Sequence, residues 1–299
     1  MEPRFEIDPN PYENDSDPAF ATPFFRRFIR HRAATPLHLS EDIARDYPFP
    51  TFYADVAYGL GLFGCSYAAA ERIVTAGLGH EVRPVRVWGG GGLLGVALYD
   101  YHKVEGMAPY SEIAVALPVT YRQWWSMLPL LPLVPGLDGG TGSFVIDMPM
   151  TSKENQIRGN RIWGLPKTTR RVDIEVRTSE IAGTAYGDDN APYLEIVLPR
   201  RGRTRTSTTE SWVFTRLDDT LLRSRSVLHG AFRTWAQLRR QRDATDGGSA
   251  HGRLRIGQGA GSAQLRELQI SSEPFLVKTG LNISSIFDLP DRRLASPVR

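Results

Sequence analysis

The chain of 299 residues has little cysteine and little net charge. Its single cysteine, Cys65, cannot form an internal disulfide, and its apolar neighbours favour a buried thiol over a nucleophile. A chain without disulfides is typical of a reducing compartment, so we predict a cytoplasmic protein. The 36 basic and 33 acidic side chains nearly balance, which provides no general attraction to nucleic acid, and we predict no nucleic-acid partner.

Long apolar segments are also missing. The most apolar run, WWSMLPLLPLVPGL, is too short and too rich in proline to span a bilayer, so we predict no membrane partner. It lies within residues 121–140, where we expect core packing, with a lid over an apolar substrate as the alternative.

Motifs for several common chemistries are scarce as well. The six histidines show no metal-ligand spacing, and one cysteine cannot form a thiolate cluster, so we predict neither a metal site nor a cofactor. No Gly-x-Ser-x-Gly motif follows a predicted strand, which excludes the usual serine nucleophile elbow. The glycines of WGGGGLLG are not followed by the lysine of a phosphate loop, and they favour a hairpin.

The sequence is nevertheless that of a folded protein, since hydrophobic residues make up 41% of it and charged residues 23%. Residues 1–45 are rich in proline, aspartate and asparagine and then become basic. We predict that they form an N-terminal extension that packs on the surface or on a neighbouring subunit. Residues 46–299 form the predicted domain.

Short segments of alternating apolar residues, bounded by turn residues, dominate this domain. In EIAVALPV, Ile113, Val115 and Leu117 share one strand face, whereas Glu112 lies on the opposite face. The segment AQLRELQI also has a strand pattern, and TLLRSRSVLHGAFRTWAQLRRQRD fits either a basic helix or a pair of strands. The repeated strands predict an α+β fold that is mainly antiparallel β, closed or half closed, with a few helices.

Two helices are predicted between strands from their terminal residues. Ser66 is a candidate N-cap for SYAAAERIVTAGLG. Thr151 or Ser152 can cap a second, brief helix, which Gly159 can end.

A lysine in an apolar setting follows this second helix. Lys167 ends the stretch IWGLPK, in which Trp163 and Leu165 can form the walls of a pocket and Pro166 fixes the backbone before the amine. Covalent catalysis by an amine needs a neutral lysine, whereas an ordinary ammonium titrates near ~10.4. Burial lowers a lysine pKa, so the apolar setting favours this chemistry. A solvated loop lysine is the alternative interpretation.

Three segments resemble the acetoacetate decarboxylase family, in the same order along the chain. GNRIWGLPK is similar to its lysine motif, APYSEIAVALPV to its tyrosine-x-glutamate strand, and LRELQISSEPFL with NISSIFDLP to its closing segment. The resemblance covers roughly residues 47–290. It implies a closed or half-closed acetoacetate decarboxylase-like barrel, a homo-oligomer, and a Schiff base between Lys167 and a keto acid. It also places Tyr110 at the substrate and makes Glu112 a proton carrier or a residue that positions water.

The sequence departs from the family pattern at several positions. Thr168 stands where the family usually has a second lysine, and Ala97 stands where it has a second carboxylate. A lowered pKa at Lys167 must then come from burial or from an arginine such as Arg170.

Two further polar residues are candidates for the site. Asp100 and His102 are two apart on a predicted strand and share a face, so they can act as polar site groups, with His102 as a general base. The alternative is a surface pair on an edge strand.

Together these observations predict a Schiff-base-forming lyase that decarboxylates a keto acid or performs a related aldol addition, dehydration or cyclisation. The alternative is a non-catalytic binding protein that retains the pocket, and a third possibility is a purely structural protein whose pocket is filled by side chains.

Overall fold

The structure, a computed structural model, describes residues 17–32, 36–41, 44–87, 89–122, 140–236 and 252–291. Within these residues the strands are β1 His31–Arg32, β2 Leu37–His38, β3 Ala44–Arg45, β4 Pro48–Phe49, β5 Thr51–Cys65, β6 Val82–Pro84, β7 Gly92–Val104, β8 Tyr110–Tyr121, β9 Thr141–Met150, β10 Lys167–Thr169, β11 Val172–Val176, β12 Glu180–Tyr186, β13 Pro192–Pro199, β14 Arg203–Leu217, β15 Thr220–Ala236, β16 Arg253–Ile256 and β17 Leu276–Phe287.

Helices form a small part of the described residues. The α-helices are α1 Tyr67–Leu78, α2 Lys153–Trp163 and α3 Ala263–Glu267, and short 3₁₀ helices lie at Pro18–Phe20, Phe25–Arg27 and Ala260–Ser262. Ser66 caps α1 as predicted, because its side chain accepts a hydrogen bond from the backbone N–H of Ala69. No helix among the described residues is long and apolar enough to cross a membrane.

Seven strands form a closed barrel in the order β9, β14, β15, β17, β5, β7 and β8, and the pairing of β8 with β9 closes it. Neighbouring strands are antiparallel except for β14 and β9, which are parallel. Strands β10 and β6 extend the sheet beside β9 and β8. This architecture confirms the predicted α+β fold with a mainly antiparallel closed sheet.

A second sheet, with strand order β11, β12, β13 and β16, covers part of the outer face of the barrel. Ile113 and Val115 of β8 face this sheet and are fully buried together with Ile181 and Leu198. Burial of apolar side chains between the two sheets supplies the hydrophobic core. The apolar face predicted for β8 is therefore the outer face of the barrel, and Glu112 points to the interior.

The helix before Lys167 is longer than predicted. The side chain of Ser152 accepts a hydrogen bond from the backbone N–H of Asn155, which confirms a cap at that residue. The helix does not end at Gly159. It continues to Trp163 and ends at Gly164, whose φ of 63° is left-handed. A glycine inside a helix weakens it by about 1 kcal/mol without stopping it, whereas a left-handed residue terminates it.

Two other segments differ from the pattern-based interpretation. The predicted strand AQLRELQI contains α3, because Leu265 and Leu268 are both buried and lie three residues apart, which is a helical spacing. The segment that fitted either a helix or two strands contains one long strand, β15, paired with β14 along its length.

Part of the predicted N-terminal extension packs on its own chain. Phe20, Phe24 and Phe25 form a buried cluster with Phe52 of β5 and Ile286 of β17. Strand β1 pairs with β4. The domain boundary near residue 45 stays a prediction, and most of the apolar segment 121–140 lies outside the described residues.

Candidate active site

The barrel encloses a cavity of about 1340 Å³, which is large enough for a small-molecule ligand. Its lining comes from the inward-facing side chains of all seven barrel strands and from the segment that follows α2. The aromatic and aliphatic members of the lining include Tyr53, Tyr58, Leu60, Tyr99, Tyr101, Val145, Met148, Leu165, Leu228 and Phe232. The interior is therefore mainly apolar with a few polar groups.

Lys167 is the first residue of β10 and lies in this cavity. It follows α2 and the turn at Gly164, and its Cα pairs in parallel register with Met148 of β9. Only 5% of Lys167 is exposed. Its side chain runs against Gly159 of α2, where a Cβ on that glycine would come within 2.2 Å of the lysine Cδ. The helix thus needs glycine at this position to leave room for the lysine.

Glu112 of β8 reaches Lys167 across the seam between β8 and β9. The Lys167 ammonium Nζ donates to Glu112 Oε2 at 3.2 Å. Tyr101 of β7 donates its hydroxyl to Glu112 Oε1 at 2.9 Å. Glu112 is only 2% exposed. Burial and the nearby Glu112 raise the pKa of Tyr101 well above its ordinary value, so this phenol stays a donor.

The pKa of Lys167 is lowered from its ordinary value, mainly by burial. The charge and the hydrogen bond of Glu112 oppose this shift, and the positive charge of Arg158 adds to it. Arg158 of α2 is fully buried, donates to Thr51 Oγ1 at 2.7 Å, and forms no ion pair with any described residue. Its guanidinium lies 4.2 Å from the ring centroid of Tyr47.

The neighbouring cation is therefore not the predicted one. Arg170 points away from the cavity to Asp188, 3.4 Å away, and to the ring of Tyr193. Arg170 is three residues after Lys167, and an odd separation along extended backbone places its side chain on the opposite face. Arg158 was not predicted, since only the path of α2 against β10 brings it near Lys167.

The predicted pocket residues around the lysine divide into two groups. Leu165 lines the cavity. Trp163 does not line it, because its indole packs against Phe49 and Phe287 and donates its N–H to the backbone oxygen of Asp288. Trp163 therefore supports the turn before Lys167 from behind.

Tyr110 shares the inner face of β8 with Glu112 but does not contribute to the cavity lining. It is buried, with its ring centroid 4.7 Å from that of Tyr101, and Tyr101 contributes to the lining instead. A substrate-binding role for Tyr110 stays a prediction.

The structure places Asp100 and His102 on the outer face of the barrel and not in the cavity, as the surface-pair interpretation expected. His102 Nε2 lies 3.1 Å from Asp100 Oδ2, and His102 Nδ1 lies 3.3 Å from Asp55 Oδ2, all in a solvent-accessible cluster. Alternation along β7 is the reason, because the odd-numbered Tyr99 and Tyr101 fill the interior and the even-numbered residues face outward.

Sequence reasoning also missed a second lysine in the cavity, Lys278 of β17. The signal was present, since PFLVKTGLNI surrounds one lysine with apolar residues as IWGLPK does. Cys65 is buried, and burial raises the pKa of its thiol to about 12, as expected for an inert cysteine. Across the described part of the chain, no three histidine, cysteine or acidic residues are grouped to hold a metal.

Comparisons with known proteins give a fold but no sequence family. No family model and no curated protein matches the sequence. Acetoacetate decarboxylase from Legionella pneumophila is similar in structure, with a TM-score of 0.54 and 12% identity over 81% of this chain and 86% of that chain. The enduracididine biosynthesis enzyme MppR, complexed with pyruvate, has a TM-score of 0.55 and 11% identity over 86% of this chain and 98% of that chain.

A third structure is MppR complexed with the condensation product of pyruvate and imidazole 4-carboxaldehyde. It has a TM-score of 0.52 and 10% identity, over 81% of this chain and 88% of that chain. The chain thus has the fold of the acetoacetate decarboxylase-like enzymes. Its structure is similar both to that of a decarboxylase and to that of MppR, at low identity to each.

Proposed function

We propose that the chain is a Schiff-base-forming lyase that acts on a small keto acid. The observation that supports this most is the position of Lys167. Its amine is buried in a cavity of ligand size, its pKa is lowered, and it lies 3.2 Å from a carboxylate. A neutral amine in such a cavity can attack a ketone, which an ordinary surface lysine cannot do at neutral pH.

The proposed reaction begins with attack of the Lys167 nitrogen lone pair on the substrate carbonyl carbon. Proton transfers and loss of water give a cationic iminium, which draws the electron pair of a neighbouring carbon–carbon bond. In a β-keto acid this is the bond between the α-carbon and the carboxylate carbon. Its cleavage releases carbon dioxide and leaves an enamine on Lys167. The enamine carbon then takes up a proton, which solvent supplies through the Glu112 carboxylate while Tyr101 holds the other carboxylate oxygen. Hydrolysis of the resulting iminium then releases the ketone and restores Lys167.

A second candidate reaction uses the same iminium without loss of carbon dioxide. Deprotonation next to the iminium gives an enamine that adds to an aldehyde, and dehydration or cyclisation can follow. MppR, which has a similar fold, has been solved in complex with pyruvate and, separately, with the condensation product of pyruvate and an aldehyde. Ala97 in the cavity lining, where the resemblance expects a carboxylate, also favours chemistry other than simple decarboxylation. The cytoplasmic location and the homo-oligomer stay predictions.

Reductive trapping tests the proposal. The full chain is incubated separately with pyruvate and acetoacetate in the presence of sodium cyanoborohydride, and the adduct is located by intact-mass measurement and peptide mapping. We expect one adduct on Lys167, and its loss in Lys167→Arg, because a guanidinium stays charged and cannot condense with a ketone. Lys153→Arg, a change at an exposed lysine of α2, is the matched control and should retain the adduct.

The binding-protein alternative makes the opposite prediction. A chain without covalent chemistry shows no adduct with either acid, and its ligand affinity survives Lys167→Ala. That result would remove the proposed mechanism.

A further inference from the structure

A second amine lies in the cavity, on the wall opposite the Lys167–Glu112 pair. Lys278 belongs to β17, and its side chain lines the cavity. Around the barrel, β5 and β7 separate β17 from β8, while β15 and β14 separate it from β9. Three strand spacings correspond to about 14 Å of barrel wall, so Lys278 faces the seam that carries the candidate catalytic pair.

The Lys278 ammonium has no carboxylate partner among the described residues. Its Nζ donates to Thr209 Oγ1 at 2.7 Å and lies 4.0 Å from the ring centroid of Phe232. It is half-buried, and burial lowers its pKa. A partly desolvated ammonium that meets one hydroxyl and one aromatic ring retains donors for an anion.

The surrounding wall is also positive. Arg203 and Arg205 of β14 belong to the cavity lining, are solvent-exposed, and form no ion pair with the described residues. In the strand register Arg203 is opposite Thr234, and Thr234 is opposite Lys278, so Arg203 and Lys278 occupy the same rung of the sheet, two strands apart. This arrangement attracts anions into the cavity from that side.

The acids of the lining do not neutralise this charge. Among the lining residues the carboxylates belong to Glu112 and Glu210. Glu112 contacts Lys167, and Glu210 lies 3.9 Å from Arg225. The Lys278 wall is therefore complementary to an additional negative group on the ligand.

We propose that Lys278 and Thr209 bind a second carboxylate of the substrate, remote from the carbonyl that reaches Lys167. The inference rests on the proposed function and narrows its substrate class to keto acids with two carboxylates. In a 2-oxo acid, the class used in the test below, the first carboxylate stays near Lys167 because it is joined directly to the carbonyl carbon. The far carboxylate spans the apolar interior and reaches the opposite wall.

The experiment compares trapping at Lys167 for pyruvate, 2-oxoglutarate and 2-oxoadipate, with the half-saturating concentration of each acid as the readout. In the wild-type chain we expect the diacids to saturate at lower concentration than pyruvate. Lys278→Met should raise the half-saturating concentration of the diacids about 10- to 100-fold more than that of pyruvate, since a charge-assisted hydrogen bond is lost. Lys278→Arg should restore most of the preference, because it keeps a cation and its donors.

Arg255→Met is the matched control, because it removes an exposed positive charge from the second sheet. It should change the half-saturating concentrations of pyruvate and of the diacids by the same factor. An equal loss for pyruvate and the diacids in Lys278→Met would overturn the proposal, and so would an adduct that forms on Lys278 itself.

A separate measurement distinguishes failure of this inference from failure of the Schiff-base proposal. If no acid gives an adduct on Lys167, calorimetric binding of glutarate, which has no ketone, still tests the anion site. Glutarate binding that is weakened about tenfold or more in Lys278→Met and retained in Lys278→Arg supports the site. Binding that is absent in the wild-type chain, or equal in all variants, refutes it.

Discussion

Gly159→Ala tests whether Lys167 must occupy the position that the structure gives it. Gly159 lies inside α2, and a Cβ on it would be 2.2 Å from Lys167 Cδ, 2.7 Å from Cε and 3.0 Å from Cγ. Real Cβ atoms essentially never come closer than 3.0 Å to another atom, and ordinary contact begins at 3.4 Å, so the lysine chain must move by about 1 Å. The atoms that clash belong to a flexible side chain, so the lysine moves and the helix does not.

We expect Gly159→Ala to have a small effect on stability and a large effect on the rate of trapping. Alanine improves helix propensity over glycine by about 1 kcal/mol, which offsets the disturbed packing of Lys167. We therefore expect the free energy of unfolding to change by no more than about 1 kcal/mol. A displacement of about 1 Å in a reacting group lowers a rate by about 100-fold.

The assay combines thermal unfolding, followed by circular dichroism, with the rate of cyanoborohydride trapping of pyruvate at Lys167. Asn160→Ala is the matched control, because Asn160 is an exposed residue of the same helix and the change also improves helix propensity. It should trap pyruvate at the wild-type rate. A Gly159→Ala chain that traps within about threefold of wild type would refute the argument, since the rate would then not depend on the observed lysine position.

Three shorter predictions concern ionisation in the same region. In Glu112→Gln, loss of the carboxylate that raises the pKa of Lys167 should move the pH profile of cyanoborohydride trapping to lower pH, while product formation falls about 10²- to 10⁴-fold. In Arg158→Met, loss of the positive charge that lowers that pKa should move the same profile to higher pH, and an unchanged midpoint would contradict it. Cys65, with a pKa raised to about 12, should resist iodoacetamide at about pH 8 in the folded chain and react after unfolding, as peptide mapping can show.

Local patterns in the sequence were sufficient for much of the fold. Ser66 and Ser152 cap helices as predicted, because capping depends on a side chain and backbone groups only a few residues away. Alternation in β8 placed Glu112 on the face opposite Ile113 and Val115. The position of Lys167 between a helix and a strand was also predicted, because glycine and proline mark the ends of such elements within a few residues.

The rest of the candidate site depends on which face of each strand is covered. Both faces of β7 are buried over part of the strand: one face lies in the barrel interior, and the other packs against the second sheet. Alternation therefore shows which residues share a face but not which face is the interior. This left Asp100 and His102 as either site groups or a surface pair, and Tyr99 and Tyr101 were missed. Only tertiary structure brings the Arg158 side chain of α2 near Lys167 and places Lys278 of β17 in the cavity.

The opposing influences on Lys167 match the two charge states that the proposed reaction needs. Burial and Arg158 favour the neutral amine, which is the form that attacks a carbonyl. After water leaves, the iminium carries a fixed positive charge that burial destabilises, and the carboxylate of Glu112, 3.2 Å from the nitrogen, then stabilises it. A site with burial alone would make the amine nucleophilic and the intermediate unfavourable. For this reason Glu112→Gln should separate the two steps, with capture of the ketone at lower pH and slower formation of product.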